Sequence, residues 1–154
     1  VAGNGPSLFP GLSADGRYLV FQSQASNLVA GDTNGVSDIF VRDLSAGSTV
    51  RACGAQGNRS SSTPAISDDG RYVVFTSSAT NLVEGDTNGV DDIFICDLET
   101  NIIDRVSVGP QGQGNGHSIL PAVSADGSVV SFKSLATNLV ANDLNGVVDV
   151  FARD

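Results

Sequence analysis

Tryptophan and methionine are absent from these 154 residues, and histidine and lysine occur once each, as His117 and Lys133. A His-based metal site or a Ser-His-Asp triad would rest on that one imidazole, with no nucleophile-elbow motif beside it. Eight basic residues face seventeen acidic ones, for a formal net charge of −9, and the basic residues form no cluster. A polyanion such as nucleic acid therefore finds no counter-surface. No apolar run approaches the roughly 18 residues of a spanning helix, which argues against membrane insertion. The flat aromatic platform of a sugar-binding loop is also lacking, because Tyr18 and Tyr72 both fall inside strand-like segments. The two cysteines, Cys53 and Cys96, lie in apolar strand-like contexts. They read as buried free thiols, with a disulfide between repeats as the alternative. No leader segment precedes Val1, as expected of a processed chain or an excised piece.

What the sequence has in quantity is repetition. Gly31-Asp32-Thr33-Asn34-Gly35-Val36-Ser37-Asp38-Ile39-Phe40 returns as Gly85-Asp86-Thr87-Asn88-Gly89-Val90-Asp91-Asp92-Ile93-Phe94. It returns once more as Asn142-Asp143-Leu144-Asn145-Gly146-Val147-Val148-Asp149-Val150-Phe151. Each copy is a polar acidic loop running into a β-branched and aromatic strand. Upstream of each lies a tight-turn dipeptide, Asp15-Gly16, Asp69-Gly70 or Asp126-Gly127, and then an apolar strand such as Leu19-Val20-Phe21. Consecutive apolar residues in so short a strand predict a sheet covered on both faces. Corresponding aspartates stand 54 residues apart (Asp32 to Asp86) and then 57 apart (Asp86 to Asp143), and the extra residues of the second spacing fall in the Gly/Gln linker 109–116, where insertion is tolerated.

Four short strands per unit, with no helical periodicity, predict an all-β fold of β-propeller blades with four antiparallel strands each. The blades are read as residues 8–54, 62–108 and 118–154 of one module, the third lacking its outer strand. Three blades are half of a six-bladed ring. The segments Ser-x-Asp-Gly-Arg-Tyr-x-Val-Phe and Asp-Ile-Phe-x-x-Asp-Leu resemble the TolB-type, WD40-like (PD40) repeat of bacterial periplasmic and secreted proteins. That resemblance implies an extracytoplasmic location and a binding or scaffolding role, and it leaves activity open. The long Asn-Leu-Val-x-Gly-Asp-x-Asn-Gly insertion departs from the ordinary pattern.

The insertion is the candidate site. Asp32, Asn34 and Asp38 offer side-chain oxygens around a Gly35 turn, and the Val36 carbonyl is placed to join them. The same set recurs as Asp86, Asn88, Val90 and Asp92, and as Asp143, Asn145, Val147 and Asp149. Hard oxygen donors suit Ca²⁺, so the expectation is structural calcium in each loop, weakest in the third. The alternative is an Asn-Gly turn whose aspartates cap backbone amides. Asp43 falls at the twelfth position of an EF-hand count, yet a strand over residues 38–43 carries it roughly 16 Å from Asp38. It reads as a turn aspartate. Arg42 and Arg153 read as inter-blade hydrogen-bond donors.

The sequence thus predicts a non-catalytic, calcium-stabilised binding or scaffold module. A lectin-like glycan-binding domain and a fragment of a larger secreted hydrolase or lyase are the alternatives. Three blades do not close a ring, so the expected partner is a second copy or the remainder of a longer propeller chain, with a protein or glycan ligand. Leu19, Phe21, Val130 and Phe132 are the expected exposed apolar residues of the terminal blades.

Overall fold

Each unit starts from the same turn chemistry. Asp15 Oδ1 accepts from the Ser13 hydroxyl at 2.6 Å and from the Arg17 amide at 2.9 Å. Gly16 supplies the positive φ of 69° that the turn needs. This turn joins β1 (Ser7–Leu12) to β2 (Tyr18–Ser23). The acidic loop leads to β3 (Asp38–Asp43), and a hairpin leads to β4 (Ser48–Arg51). A computed structural model describes residues 2–154; Val1 of the Gly-rich first segment lies outside the described residues.

The four strands pair antiparallel in chain order. The pattern repeats as β5 (Ser61–Ile66), β6 (Tyr72–Ser77), β7 (Asp92–Asp97) and β8 (Ile102–Arg105). The linker insertion folds as a small hairpin of β9 (Val108–Gly109) and β10 (Gly112–Gln113). The third sheet has three strands, β11 (Ser118–Val123), β12 (Val130–Ser134) and β13 (Asp149–Arg153). In each blade the first strand carries a bulge before a proline, with positive φ at Phe9, Thr63 and Leu120.

The sheets stack face to face, and the strand period of two assigns neighbouring residues to different cores. Val73 and Phe75 of β6 join Val20, Ile39 and Val41 between the first and second blades. Val74, one residue away, joins Val130, Phe132 and Phe151 between the second and third. This explains the unbroken apolar run in β6, which is covered on both sides. The expected exposure of Val130 and Phe132 is corrected: they are 3% and 2% exposed because their face is the one turned toward the second blade. Leu19 and Phe21 are half-buried, Phe21 stacking on Phe40. Open apolar surface is instead carried by Leu8, Phe9 and Leu12 on the first blade and by Val150 on the third.

The cysteines are a second correction. Cys53 and Cys96 form a disulfide that ties the short 3₁₀ turn after β4 to β7 of the next blade. Blade stacking brings together two residues that are 43 apart in sequence. Arg42 also differs from expectation, since its guanidinium donates to Thr49 Oγ1 within its own blade. Arg153 does reach across, to the Val108 carbonyl, and also donates to the Leu139 carbonyl of its own blade.

Blade spacing is further set by a ring on a turn. Tyr18 packs on Gly70 of the following blade, and Tyr72 packs on Gly127. A Cβ at Gly127 would run into the Tyr72 ring, at a residue whose φ is +74°. Gly127→Ala should therefore lower stability by about 2 kcal/mol or more, from backbone strain plus overlap. Gly146→Ala shares the positive φ, meets open space, and should cost about 1 kcal/mol. Urea midpoints of the two variants check this; equal losses would mean that the tyrosine contact contributes nothing.

Candidate functional site

The acidic loops fold as asparagine-centred turns. Asn34 Oδ1 accepts from the Val36 amide at 3.2 Å, and its Nδ2 donates to Asp38 Oδ2 at 2.9 Å and to the Gly57 carbonyl at 3.0 Å. Asn88 repeats this with Val90, Asp92 and Gly114. Asn145 repeats it with Val147 and Asp149. Each loop thus brings its second aspartate and asparagine together. Val36, Val90 and Val147 take part through their amides and not, as expected, through their carbonyls.

The residue that completes the site comes from the outer strand. Arg51 ends β4 opposite Phe40, and its guanidinium lies 3.2 Å from Asp32 and 3.1 Å from Asp38. All three side chains are buried, at 9%, 5% and 3% exposure. Arg105 ends β8 opposite Phe94 and stands 3.1 Å from Asp86 and 3.6 Å from Asp92. There the Ser107 hydroxyl also donates to Asp92. Arg51 Nε and Nη2 make no well-aligned hydrogen bond, so the attraction is Coulombic more than directional. The third blade has no such strand, and Asp143 and Asp149 are half-buried with no arginine between them.

The calcium expectation is met by a different arrangement of donors in the first two loops. In the first two blades a fixed cation already stands between the paired carboxylates. The asparagine turns an N–H donor toward the second aspartate and spends its oxygen on a backbone amide. Oxygens so engaged do not form the cage of about six to eight donors that Ca²⁺ requires. Asp32, Asn34, Val36 and Asp38 therefore do not fit the ion as arranged, nor do Asp86, Asn88, Val90 and Asp92. Among the described residues no three His, Cys, Asp or Glu side chains converge as a metal-holding group.

Burial pushes the Asp38 carboxyl above its ordinary range, against the pull of Asn34 and Arg51 and with a further push from Asp32. Burial likewise raises Asp92, opposed by Ser107, Asn88 and Arg105. The turn aspartates behave oppositely. Asp97 is held well below the carboxylate range by the Arg71 guanidinium and by the Glu99 and Thr100 amides. Asp43 is lowered in the same way by Arg17 and the Ala46 and Ser45 amides, in keeping with its reading as a turn residue. Asp126 is held down to about 2 by Ser128 and Ser124. The lone His117 pairs with Asp91 at 3.0 Å on the surface, and Glu84 is exposed.

Sequence reasoning missed Arg51 and Arg105. The signal was present: each follows the first aspartate of its loop by nineteen residues. It also passed over the linker clamps, in which the backbone amides of Asn4, Asn58 and Asn115 donate to Oδ1 of Asn27, Asn81 and Asn138, whose Nδ2 groups donate in turn to the carbonyls of Ala2, Gln56 and Gln113. Besides these sites, a cleft of about 980 Å³ opens between the first and second blades, lined by Tyr18, Asp43, Thr49, Arg71 and Asn101 among others.

No family profile and no curated protein matches the chain. Solved structures do. A protein of Agrobacterium tumefaciens assigned as TolB superposes with a TM-score of 0.63 at 22% identity, over 97% of this chain and 46% of that one. TolB from Acinetobacter baumannii gives a TM-score of 0.56 at 21% identity, over 100% and 31%. The fold is a TolB-like β-propeller. The propeller domain of the Trilobed protease from Pyrococcus furiosus shares it, with a TM-score of 0.52 at 13% identity over 97% and 43%. This chain spans less than half the length of these proteins. No helix among the described residues is long and apolar enough to cross a membrane.

Two predictions follow from the charges. Arg51→Ala leaves two carboxylates buried without a counter-charge and should cost about 3–5 kcal/mol by denaturant unfolding, whereas removing the solvent-exposed Arg17 should leave the unfolding midpoint almost unchanged. Acid unfolding should respond to Asp97. Its folded pKa is lowered, so its contribution is present above the unfolded value and is lost as pH falls through the folded one. Asp38 and Asp92, with raised folded pKa values, contribute the opposite slope. Asp97→Asn should consequently show a shallower decline in melting temperature than wild type between about pH 5 and about pH 2. Parallel curves would remove the Arg71–Asp97 pair from the acid response.

Proposed function

We propose that this chain is a non-catalytic, extracytoplasmic propeller scaffold whose blades are locked by buried arginines in place of metal ions. The observation that carries this reading is the guanidinium seated between two buried aspartates in both complete blades. It joins the outermost strand of a blade to the loop between the second and third strands, a structural and not a chemical task. The Cys53–Cys96 disulfide supports an oxidising compartment. Open apolar residues on the first blade, Leu8, Phe9 and Leu12, support burial against further blades, with a second copy of the chain as the simplest source of a closed ring.

The arginine reading is tested by thermal unfolding in chelator and in millimolar calcium. The two melts should superimpose, because calcium has no place to bind the folded state of these loops in preference to the unfolded one. A stabilisation by calcium that Asp38→Asn or Asp92→Asn abolishes would return the metal to the first two loops. A turnover on glycans or esters that His117→Ala eliminates would overturn the scaffold reading.

A further inference from the structure

The two blade junctions are closed by the same parts except at one place. At both, a tyrosine ring lies on a glycine of the following turn, Tyr18 on Gly70 and Tyr72 on Gly127. At both, a strand amide donates to the loop of the preceding blade, Ser61 to the Ser37 carbonyl and Ser118 to the Asp91 carbonyl. The difference lies two residues beyond the phenylalanine of each third strand. There β13 carries Arg153, which donates to the Val108 carbonyl of the second blade. At the same place β7 carries Cys96, bonded to Cys53 of the first blade. One junction is closed by hydrogen bonds and the other by a covalent bond, so stacking does not require the covalent one.

The two sulfurs of that bond are unequally placed. Cys96 is fully buried in the core between the first two blades. Cys53 is half-buried and forms part of the wall of the cleft of about 980 Å³ between them. Tyr18 and Val50 on one side of that cleft and Arg71 and Leu98 on the other all belong to complete four-stranded blades. Cys53 also holds a φ of +48°, a left-handed conformation that an L-residue keeps only where its surroundings impose it. In the second blade the residue at this place is Ser107, which is buried and donates to Asp92 of its own blade. Cys53 instead turns to the next blade, and its bond to Cys96 holds it there.

We propose that Cys53–Cys96 is an exchangeable bond, opened in the folded protein by a dithiol reductant that enters the cleft. A thiolate attacks the Cys53 sulfur, which is the reachable one. The bond to Cys96 breaks, and its electron pair leaves on the Cys96 sulfur, which takes up a proton. The second thiol of the reductant attacks the mixed disulfide and releases Cys53. The dithiol ends as a disulfide and the two cysteines as thiols, a transfer of two electrons. Reduced Cys53 finds acceptors in place, since its sulfur lies 3.4 Å from the Ile102 carbonyl oxygen and 3.5 Å from that of Asp97. A weak S–H contact then replaces the covalent link. The second junction has no sulfur and keeps its arginine. Reduction therefore loosens only the side of the middle blade that borders the cleft.

The test is reduction of the whole protein by dithiothreitol in native buffer, with timed alkylation and mass mapping of the two cysteines. Loss of the bond is expected at least about tenfold faster than global unfolding extrapolated from denaturant kinetics. With glutathione as reductant, the trapped mixed disulfide should sit on Cys53 and not on Cys96. Hydrogen exchange should rise on reduction in residues 48–56 and stay unchanged in residues 106–118. A variant carrying both Cys53→Ser and Cys96→Ser should show the exchange pattern of the reduced protein with or without dithiothreitol. If that variant does not fold, the adduct map and the reduction rate of the wild-type protein still decide. Reduction no faster than unfolding, a glutathione adduct on Cys96, or exchange that rises equally at both junctions would overturn the proposal.

Discussion

A buried positive charge shared by two buried carboxylates is the constraint on which each complete blade depends. Strand pairing alone gives a sheet whose outermost strand has one free edge and whose acidic loop is long and polar. Arg51 and Arg105 connect these two parts, because the end of the outer strand and the loop that precedes the third strand lie at the same side of the blade. Removing water from three charges is costly, and only their mutual attraction offsets it. The clamp therefore acts as an address more than as a source of net stability. A strand without an arginine at that register position leaves two aspartates buried unpaired, which excludes wrong pairings as much as it rewards the right one.

The same constraint orders the titration behaviour of the molecule. Aspartates at the clamp are buried and shifted upward, whereas aspartates at the turns are exposed to amide donors and guanidinia and shifted downward. A chain with seventeen acidic residues thus uses them in two physically distinct ways. Turn carboxylates collect orphan backbone N–H groups, and clamp carboxylates hold a side chain from another strand. Between blades other links operate: tyrosine on glycine, the apolar layers on either side of β6, and the Cys53–Cys96 bond. The middle blade is the one packed on both faces.

Much of the architecture could be read from the chain. The Asp-Gly dipeptides, the three β-branched segments and the spacing of the copies define blades with four strands because turn chemistry and strand periodicity are local properties. Even the missing strand of the third blade was legible, since it is a matter of counting segments. The turn role of Asp43 followed from strand rise alone. The pairing of Asn34 with Asp38 was equally accessible, being a contact between residues four apart.

What the sequence could not decide was what meets those aspartates from outside their loop. Oxygen donors at close spacing describe a cation site, but the cation arrives from a residue nineteen positions away whose approach depends on how β4 and β8 pair. The same limit explains the cysteines, whose proximity exists only after one blade packs on the next, and Val130 and Phe132, whose burial depends on which face turns inward. Local pattern determined the blades, their turns and the acidic loops. Only the tertiary structure brings the Arg51 and Arg105 guanidinia between them, because charge compensation is settled by distance in space and not along the chain.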